Sequence, residues 1–374
     1  MTTSKLRILH LVNNFGVGGL ESVIRQMALN SSGCVQPYVC VLTMAGHFAQ
    51  GVAAAGVALH HVDRAKKQKG MRVTLRELVD LIQDWNIDVI HCHDMSSWFY
   101  GAILKKMVGK PTVVTKHGNM EKWHWKTVLT SKILSLFTDR IVAVSPEVKA
   151  DLVKRQFVND KNIDVIYNGI DLTPFDCPIS KQEAKARLGI PENTFVTGTV
   201  TRFYPVKNIE LQVEAIANLK DRIQDLRHLI VAPLATDYGR EIAENIKQRG
   251  LDKYICLLGY REDIPQLLQA MDLFVLTSIS EGTSMALIEA IAAHLPVVVS
   301  NVGGNPNLVN EDVNGFLFDL DKKNDFEEKV FNLYQDAEKL KIFSSKQKDV
   351  AVLFSGEGMM RGYLEVYNSI CRVG

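Results

Sequence analysis

The sequence predicts an α/β protein built from two doubly wound parallel sheets. Three observations carry that prediction. Short apolar runs of strand length alternate with helical stretches, which is how βαβ units appear in a sequence. The alternation stops once, across VIYNGIDLTPFDCPIS (165–180), and then restarts. The length of 374 residues exceeds one compact unit of this kind and suits two.

In chain order, LRILHLV (6–12) reads as a strand, followed by a glycine turn and a helix from about Leu20 to Leu29. Further strands are expected at 38–44, 58–62, 89–93, 112–117 and 140–145, with helices such as 74–85 and 146–157 between them. In the interruption, Asn168-Gly169 is a turn signal and Pro174 and Pro178 stop helices. The strand runs resume at 195–203, 228–234, 254–259, 272–278, 296–301 and 314–319. The last segment, GEGMMRGYLEVYNSICR, reads as a closing helix. The expected organisation is therefore an N-terminal Rossmann-like domain over 1–172 and a second over 173–355. The helix of 356–374 closes the chain and returns to the first. Ligands are expected at the carboxyl ends of the strands, in a cleft between the domains.

Composition narrows the classes. Hydrophobic residues make up 47% and charged residues 23% of the chain, as in soluble globular proteins. No apolar run approaches the ~20 residues of a membrane span. The first residues lack the small-residue cleavage site of a signal peptide. Cys34, Cys40, Cys92, Cys177, Cys256 and Cys371 form no CxxC pair and read as buried free thiols of a reducing compartment, so the expected location is cytoplasmic. A net charge of +1 speaks against nucleic-acid binding. The charge is uneven, with 21 Lys+Arg against 15 Asp+Glu in residues 1–180 and 22 against 27 in the remainder. Lys105, Lys106, Lys110, Lys116, Lys122, Lys126 and Lys132, with Trp98, Trp123 and Trp125, give 98–132 a basic, aromatic character. Such a stretch suits an anionic membrane surface, here the inner face of the cell membrane; the alternative is a solvated charged face.

The most informative segment is SEGTSMALIEAIAAHLPVVVSNVGG (280–304). Thr283 or Ser284 is a good N-cap for the helix that follows Gly282. The amides of Ser284, Met285 and Ala286 are then free at a helix N-terminus, where donors and dipole favour a phosphate. Glu289 stands one turn beyond Met285, within reach of a ribose next to such a diphosphate. Glu281 lies before the helix, towards the sugar end. The alternative is that Glu281 caps the helix and Glu289 is a solvated face residue. Arg202 and Lys207, in TRFYPVKN, follow a strand where a doubly wound sheet presents groups to its ligand. A guanidinium fork and an ammonium there suit a departing diphosphate, although an ordinary solvated loop also fits.

Taken together, Arg202-x4-Lys207, Glu281-x7-Glu289 and Val302-Gly303-Gly304 resemble the retaining glycosyltransferases of family 4, which have the GT-B fold. NNFGVGGLE, VIHCHD, VAVS (142–145), IYNGID and NGFLF resemble further segments of that family, so the likeness covers nearly the whole chain. It implies that Arg202 and Lys207 hold the donor diphosphate, that Glu289 binds the ribose and Glu281 the transferred sugar, and that Gly259 and Tyr260 lie near the base. It also places His117 against the donor sugar and the loop of Gly16, Gly18 and Gly19 beside both donor phosphate and acceptor. The sequence departs from the family at His294, where a glycine is usual, and at Asn305-Pro306-Asn307, where an acid is usual.

Read on its own, the Gly16–Gly19 spacing is GxGG, and 35–44 contain no acid, so a nicotinamide dinucleotide is a poor fit. A phosphate loop and a purely structural turn both remain open. His117 reads equally as a satisfied core histidine. His91, His93 and Asp94 share strand spacing with metal sites, but no third or fourth ligand is evident, and no metal is expected. Asp94, at a strand end, is a candidate for the acceptor. The resulting expectation is a retaining transferase moving a sugar from a nucleotide diphosphate, with UDP favoured, to a hydroxyl of a saccharide or lipid-linked acceptor. Such a reaction belongs to cell-surface polysaccharide or lipopolysaccharide synthesis. The nucleotide sugar is a co-substrate rather than a cofactor. The alternatives are a sugar-nucleotide epimerase on the same fold and a non-catalytic nucleotide-sugar-binding subunit.

Overall fold

The computed structural model describes residues 5–16, 18–31, 33–65, 70–118, 124–176 and 178–371. The chain forms two compact units, Met1–Asp171 with Phe354–Gly374, and Leu172–Leu353. Each is an α/β unit around one parallel sheet.

In the first unit the strands are β1 (Leu6–Phe15), β2 (Val35–Ala45), β3 (Ala58–His61), β4 (Val89–Cys92), β5 (Thr112–Lys116), β6 (Arg140–Ala143) and β7 (Ile163–Val165). Their order across the sheet is β3-β2-β1-β4-β5-β6-β7, every neighbouring pair parallel. The chain starts in the middle, builds outward through β2 and β3, then returns to the other side of β1 as β4. The loops after β1 and β4 therefore leave in opposite directions and open a crevice at the carboxyl ends of two adjacent strands. Helices on both faces bury the strands, which explains their near-continuous apolar sequences. The helix Met71–Asp84, for example, turns Leu75, Leu78 and Ile82 into the core with Leu9, Leu11 and Ile90.

The second unit repeats the plan with β8 (Phe195–Val200), β9 (Leu226–Val231), β10 (Ile255–Leu257), β11 (Leu273–Leu276), β12 (Val297–Ser300) and β13 (Gly315–Phe318). Their order is β10-β9-β8-β11-β12-β13, again all parallel, so the crevice here opens between β8 and β11.

The terminal helix Gly356–Cys371 packs on the first unit, where Tyr363 and Tyr367 are fully buried. It is led there by a parallel bridge between Ile170 and Ser355. Gly169 is needed at that crossing because a Cβ on it would stand 2.4 Å from the Ser355 carbonyl oxygen. No helix among the described residues is long and apolar enough to cross a membrane.

Candidate active site

In the second unit the sheet brings four separate predicted elements to the β8–β11 crevice. The loop after β8 carries Arg202 and Lys207, and the loop after β11 carries Glu281. Their backbones are strapped together by the Ile279 amide donating to the Val206 carbonyl at 2.8 Å. Lys207 Nζ lies 2.6 Å from Glu281 Oε1, an oxygen that also accepts from Ser278 Oγ at 2.6 Å. Glu281 is thus an ion-pair partner and not the helix cap of the alternative reading. Ser284 fills that role, its Oγ accepting from the Leu287 amide at the start of the helix Met285–Ala292. The amides of Ser284, Met285 and Ala286 donate to no group among the described residues, which leaves an anion-binding helix end. Arg202 is exposed, its guanidinium 5.3 Å over the Tyr204 ring, with no carboxylate partner among the described residues. It is a cation held by stacking and open to an anion.

Glu289 is partly buried in this helix between the buried Ile288 and Ala290 and has no ion-pair partner among the described residues. Burial pushes its carboxyl up to about 7. A solvated face residue would not behave so, and that alternative reading is corrected.

The double glycine after β12 has a steric reason. A Cβ on Gly303 would lie 1.9 Å from the Glu281 carbonyl oxygen, and one on Gly304 would lie 2.0 Å from that of Gly282. The loop that supplies Glu281 and Gly282 therefore rests directly on Gly303-Gly304. Next to it, Asn305 donates from Nδ2 to the Ser300 carbonyl at 3.0 Å, while its buried Oδ1 has no partner. Gly259, with φ +69°, and Tyr260, which is exposed, follow β10 at the edge of the same sheet.

A buried polar chain under this site was not read from the sequence. Thr197 Oγ1 pairs with His228 Nδ1 at 2.8 Å, and His228 Nε2 with Gln212 Oε1 at 3.0 Å. Gln212 Nε2 donates to Thr277 Oγ1, which donates in turn to the carbonyls of Lys207 and Asn208 at 3.0 Å. This chain fixes the backbone that presents Lys207. The available signal was a set of polar residues inside apolar strand runs, as in LRHLIV.

In the first unit the β1–β4 crevice collects a second set of residues. Gly19 opens the helix Gly19–Leu29 with Gly18 as its cap residue, while Gly16 is approached so closely that a Cβ on Gly46 would stand 2.8 Å from its Cα. Asp94 caps the helix Met95–Val108. One carboxylate oxygen accepts from the Ser97 amide at 2.9 Å and the other from the Asn13 amide at 2.6 Å. Any acceptor bound there would share oxygens that already hold the end of β1 and the first turn of that helix.

His117, after β5, points Nε2 at His93 Nδ1, 3.3 Å away, and His93 Nε2 meets His10 Nδ1 at 3.0 Å. Burial, with Lys116 beside it, lowers His117 to about 3, and its buried Nδ1 has no partner. His91 lies alongside, with Nδ1 2.7 Å from Tyr367 Oη and Nε2 2.7 Å from Thr115 Oγ1. His91, His93 and Asp94 are therefore not a ligand set, because Asp94 faces its own helix. The rings that do converge are His10, His91 and His93, with ligand atoms within 4.8 Å of one another. Their nitrogens bond to each other, to Tyr367 and to Thr115.

The basic stretch also changes meaning. Trp98 is a core residue, fully buried, with Nε1 donating to Thr138 Oγ1 at 2.8 Å, so it belongs to no surface. Lys105 pairs with Asp139 at 2.7 Å, and Lys116 is desolvated, which lowers its pKa. Lys122 and Trp123 lie outside the described residues, as does Cys177. The helix Trp125–Ser135 keeps the expected character: Trp125, Leu129 and Ile133 are exposed along one side, beside the exposed Lys126 and Lys132. Cys34, expected to be buried, is exposed.

Comparison with known proteins follows the same division. Residues 17–174 match the family model described as Glycosyltransferase Family 4, and residues 180–350 match that of Glycosyl transferases group 1. The chain is 35% identical over 267 residues to the UDP-Gal:alpha-D-GlcNAc-diphosphoundecaprenol alpha-1,3-galactosyltransferase of Escherichia coli, covering 68% of each. It is 25% identical over 313 residues to the putative glycosyltransferase EpsD of Bacillus subtilis, covering 79% of this chain and 80% of that one. Among solved structures, Anabaena Alr3699/HepE in complex with UDP and glucose superposes with a TM-score of 0.87 at 23% identity, over 97% of this chain and 100% of that one.

Proposed function

The chain belongs to glycosyltransferase family 4 of the group 1 glycosyl transferases, and from that premise we propose that it moves a hexosyl group from a uridine diphosphate sugar to a lipid-linked saccharide, with retention at the anomeric carbon. The observation that carries the donor half is the convergence at the β8–β11 crevice. There an open guanidinium (Arg202), the Lys207–Glu281 pair, three free amides and the unpaired Glu289 carboxyl meet. The amides and Arg202 take the diphosphate, and Glu289 takes the ribose hydroxyls. As the bond from C1 to the phosphate oxygen breaks, these donors stabilise the charge that develops on the leaving group. Glu281 is already bound to Lys207 and Ser278, which favours a sugar-hydroxyl contact over attack on C1. The acceptor oxygen then bonds to C1 on the face the phosphate leaves, and its proton passes to a leaving phosphate oxygen. Arg202, Lys207 and the amides supply the positive charge of this reaction, so no metal is needed.

The choice of uridine follows the Escherichia coli relative and the UDP-bound Anabaena structure. The lipid-linked acceptor follows the diphosphoundecaprenol substrate in that relative's name. On this reading the first unit takes the acceptor near Asp94, His117 and the glycine loop. Its helix Trp125–Ser135 rests on an anionic membrane surface at the cytoplasmic side.

Transfer of labelled galactose or glucose from UDP to a diphospholipid-linked N-acetylhexosamine, in the presence of EDTA, tests the reading. The expected product retains the donor's anomeric configuration, as resolved by NMR. An inverted product, or an epimerised nucleotide sugar formed without any acceptor, contradicts it.

A further inference from the structure

Four buried polar side chains meet in the core of the second unit: Thr197 on β8, His228 on β9, Gln212 on the helix Ile209–Leu219 and Thr277 directly after β11. Thr197 and His228 stand side by side in the ladder. Their hydrogen bonds run in one direction, which is set at the Thr277 end. A carbonyl can only accept. Lys207 O and Asn208 O each lie 3.0 Å from Thr277 Oγ1, so the hydroxyl proton lies between these oxygens. Oγ1 then turns a lone pair to Gln212, which must present Nε2, 2.8 Å away. Gln212 Oε1 is left facing His228 Nε2 at 3.0 Å, and that nitrogen must carry a proton. Burial lowers the imidazole to about 3 and keeps it neutral, so Nδ1 is a lone pair and accepts from Thr197 Oγ1 at 2.8 Å. The reverse direction turns the Thr277 hydroxyl to Gln212 and leaves two carbonyl oxygens against a bare hydroxyl oxygen. Its gain at the other end is a contact from Thr197 Oγ1 to the Arg227 carbonyl, 3.4 Å long, which does not offset that loss.

The chain ends on the backbone that carries Lys207. From Val206 to Ile209, every residue has a main-chain group held from outside the loop. Val206 O accepts from the Ile279 amide at 2.8 Å, Thr277 holds Lys207 O and Asn208 O, and the Ile209 amide donates to Tyr238 Oη at 3.0 Å. Between these contacts Asn208 turns the chain in the left-handed region, φ 50° and ψ 51°, a conformation that surrounding structure has to maintain. The partner carboxylate is fixed as well: Glu281 accepts from Ser278 Oγ, and the Ser278 carbonyl accepts from Ser300 Oγ at 2.7 Å. A lysine ammonium is otherwise a point charge on a flexible stem. Apolar side chains at the four core positions would avoid desolvating hydroxyls and amides, whereas a polar set joined in one direction fixes a single backbone conformation.

We infer that Thr277 and Gln212 are positioning residues of the donor site. Oriented by His228 and Thr197 behind them, they hold the main chain of Lys207 so that its ammonium stands where negative charge develops on the leaving diphosphate. This rests on the transferase reading for what Lys207 does. The direction of the chain, with the His228 proton on Nε2, is a property of the free protein.

Long-range proton–nitrogen correlation NMR on protein labelled at histidine, with His228→Asn for assignment, reads the direction. The wild type is expected to carry the His228 proton on Nε2, and a proton on Nδ1 overturns the inference. Kinetics read the role. Thr277→Val removes the hydroxyl at nearly constant volume and should lower kcat by about tenfold to hundredfold, the size of a misplaced catalytic group. Donor KM should stay nearly unchanged, because Arg202 and the helix amides still bind the ground state. Thr277→Ser, which keeps the hydroxyl, should retain most of the rate. In a Lys207→Ala background the Thr277→Val step should cost less than about threefold more, since its effect passes through the ammonium already lost. Gln212→Met carries the same comparison if Thr277→Val does not fold. A folded Thr277→Val with wild-type kcat, or an undiminished penalty in the Lys207→Ala background, overturns the positioning role. Full activity of Lys207→Ala, by contrast, contradicts the transferase reading of the crevice and not the direction of the chain.

Discussion

Glu289 connects the chemistry of one side chain to the behaviour of the fold. Its folded pKa of about 7 lies above the 4.5 of a free glutamate. The folded state therefore holds this proton more tightly than the unfolded state does, and ionisation opposes folding as pH rises from 4.5 through 7. Above that window the penalty is about 3 kcal/mol. Glu289→Gln, which removes the ionisation, should match the wild type in stability at pH 4 and exceed it by up to about 3 kcal/mol at pH 8. Urea unfolding at the two pH values measures this, and equal differences at both would show that the carboxyl is not strained by burial. A stability gain at the cost of function is what a binding carboxylate held ready for a ligand produces. Arg202, Lys207 and Glu281 were legible in the sequence because their chemistry and their positions after strands agreed, and Glu289 because it stands one turn into the helix that follows. The Lys207–Glu281 bond was not, since it depends on two loops 74 residues apart meeting in space. Trp98 was misread for a related reason: a lysine-rich window does not show which way one indole faces.

At the scale of elements, the sequence reading placed the strands within a few residues of their ladders but missed β7, whose three residues, Ile163 to Val165 with Asp164 between them, are too few to show an apolar run. It also missed how elements support one another. The usual glycine at position 294 and the double glycine at 303–304 have separate causes. Gly303-Gly304 makes room for the Glu281–Gly282 loop. Position 294 follows the helix Met285–Ala292, and His294 sits there in the left-handed region with φ +57°. That conformation favours glycine because it strains any residue with a Cβ. His294→Gly should therefore stabilise the second unit by about 0.5–1 kcal/mol. Thermal unfolding checks this, and a lower Tm would mean that the exposed imidazole makes a contact worth more than the strain.

At the scale of the molecule, the two units repeat one strand order, and each gathers its candidate residues at the crevice that this order creates. That much follows from topology and was legible in the alternation of strands and helices. The histidine chain was not, because its members are spread over three strands and a terminal helix, and single polar residues in apolar runs give no pairing information. The surface of the first unit carries its own prediction. Trp125→Ser, Leu129→Ser and Ile133→Ser combined should lower binding to phosphatidylglycerol vesicles by about tenfold or more, since each loses an apolar group able to enter the interface. Co-sedimentation measures this, and undiminished binding would remove the helix Trp125–Ser135 as the contact.

The central claim, that the β8–β11 crevice is a nucleoside diphosphate site, is tested most directly by calorimetric titration of UDP, GDP, ADP and NAD into the wild type and Glu289→Ala. The account predicts that UDP binds the wild type and binds Glu289→Ala much more weakly. UDP binding left unchanged by the substitution, or NAD binding in its place, would contradict it.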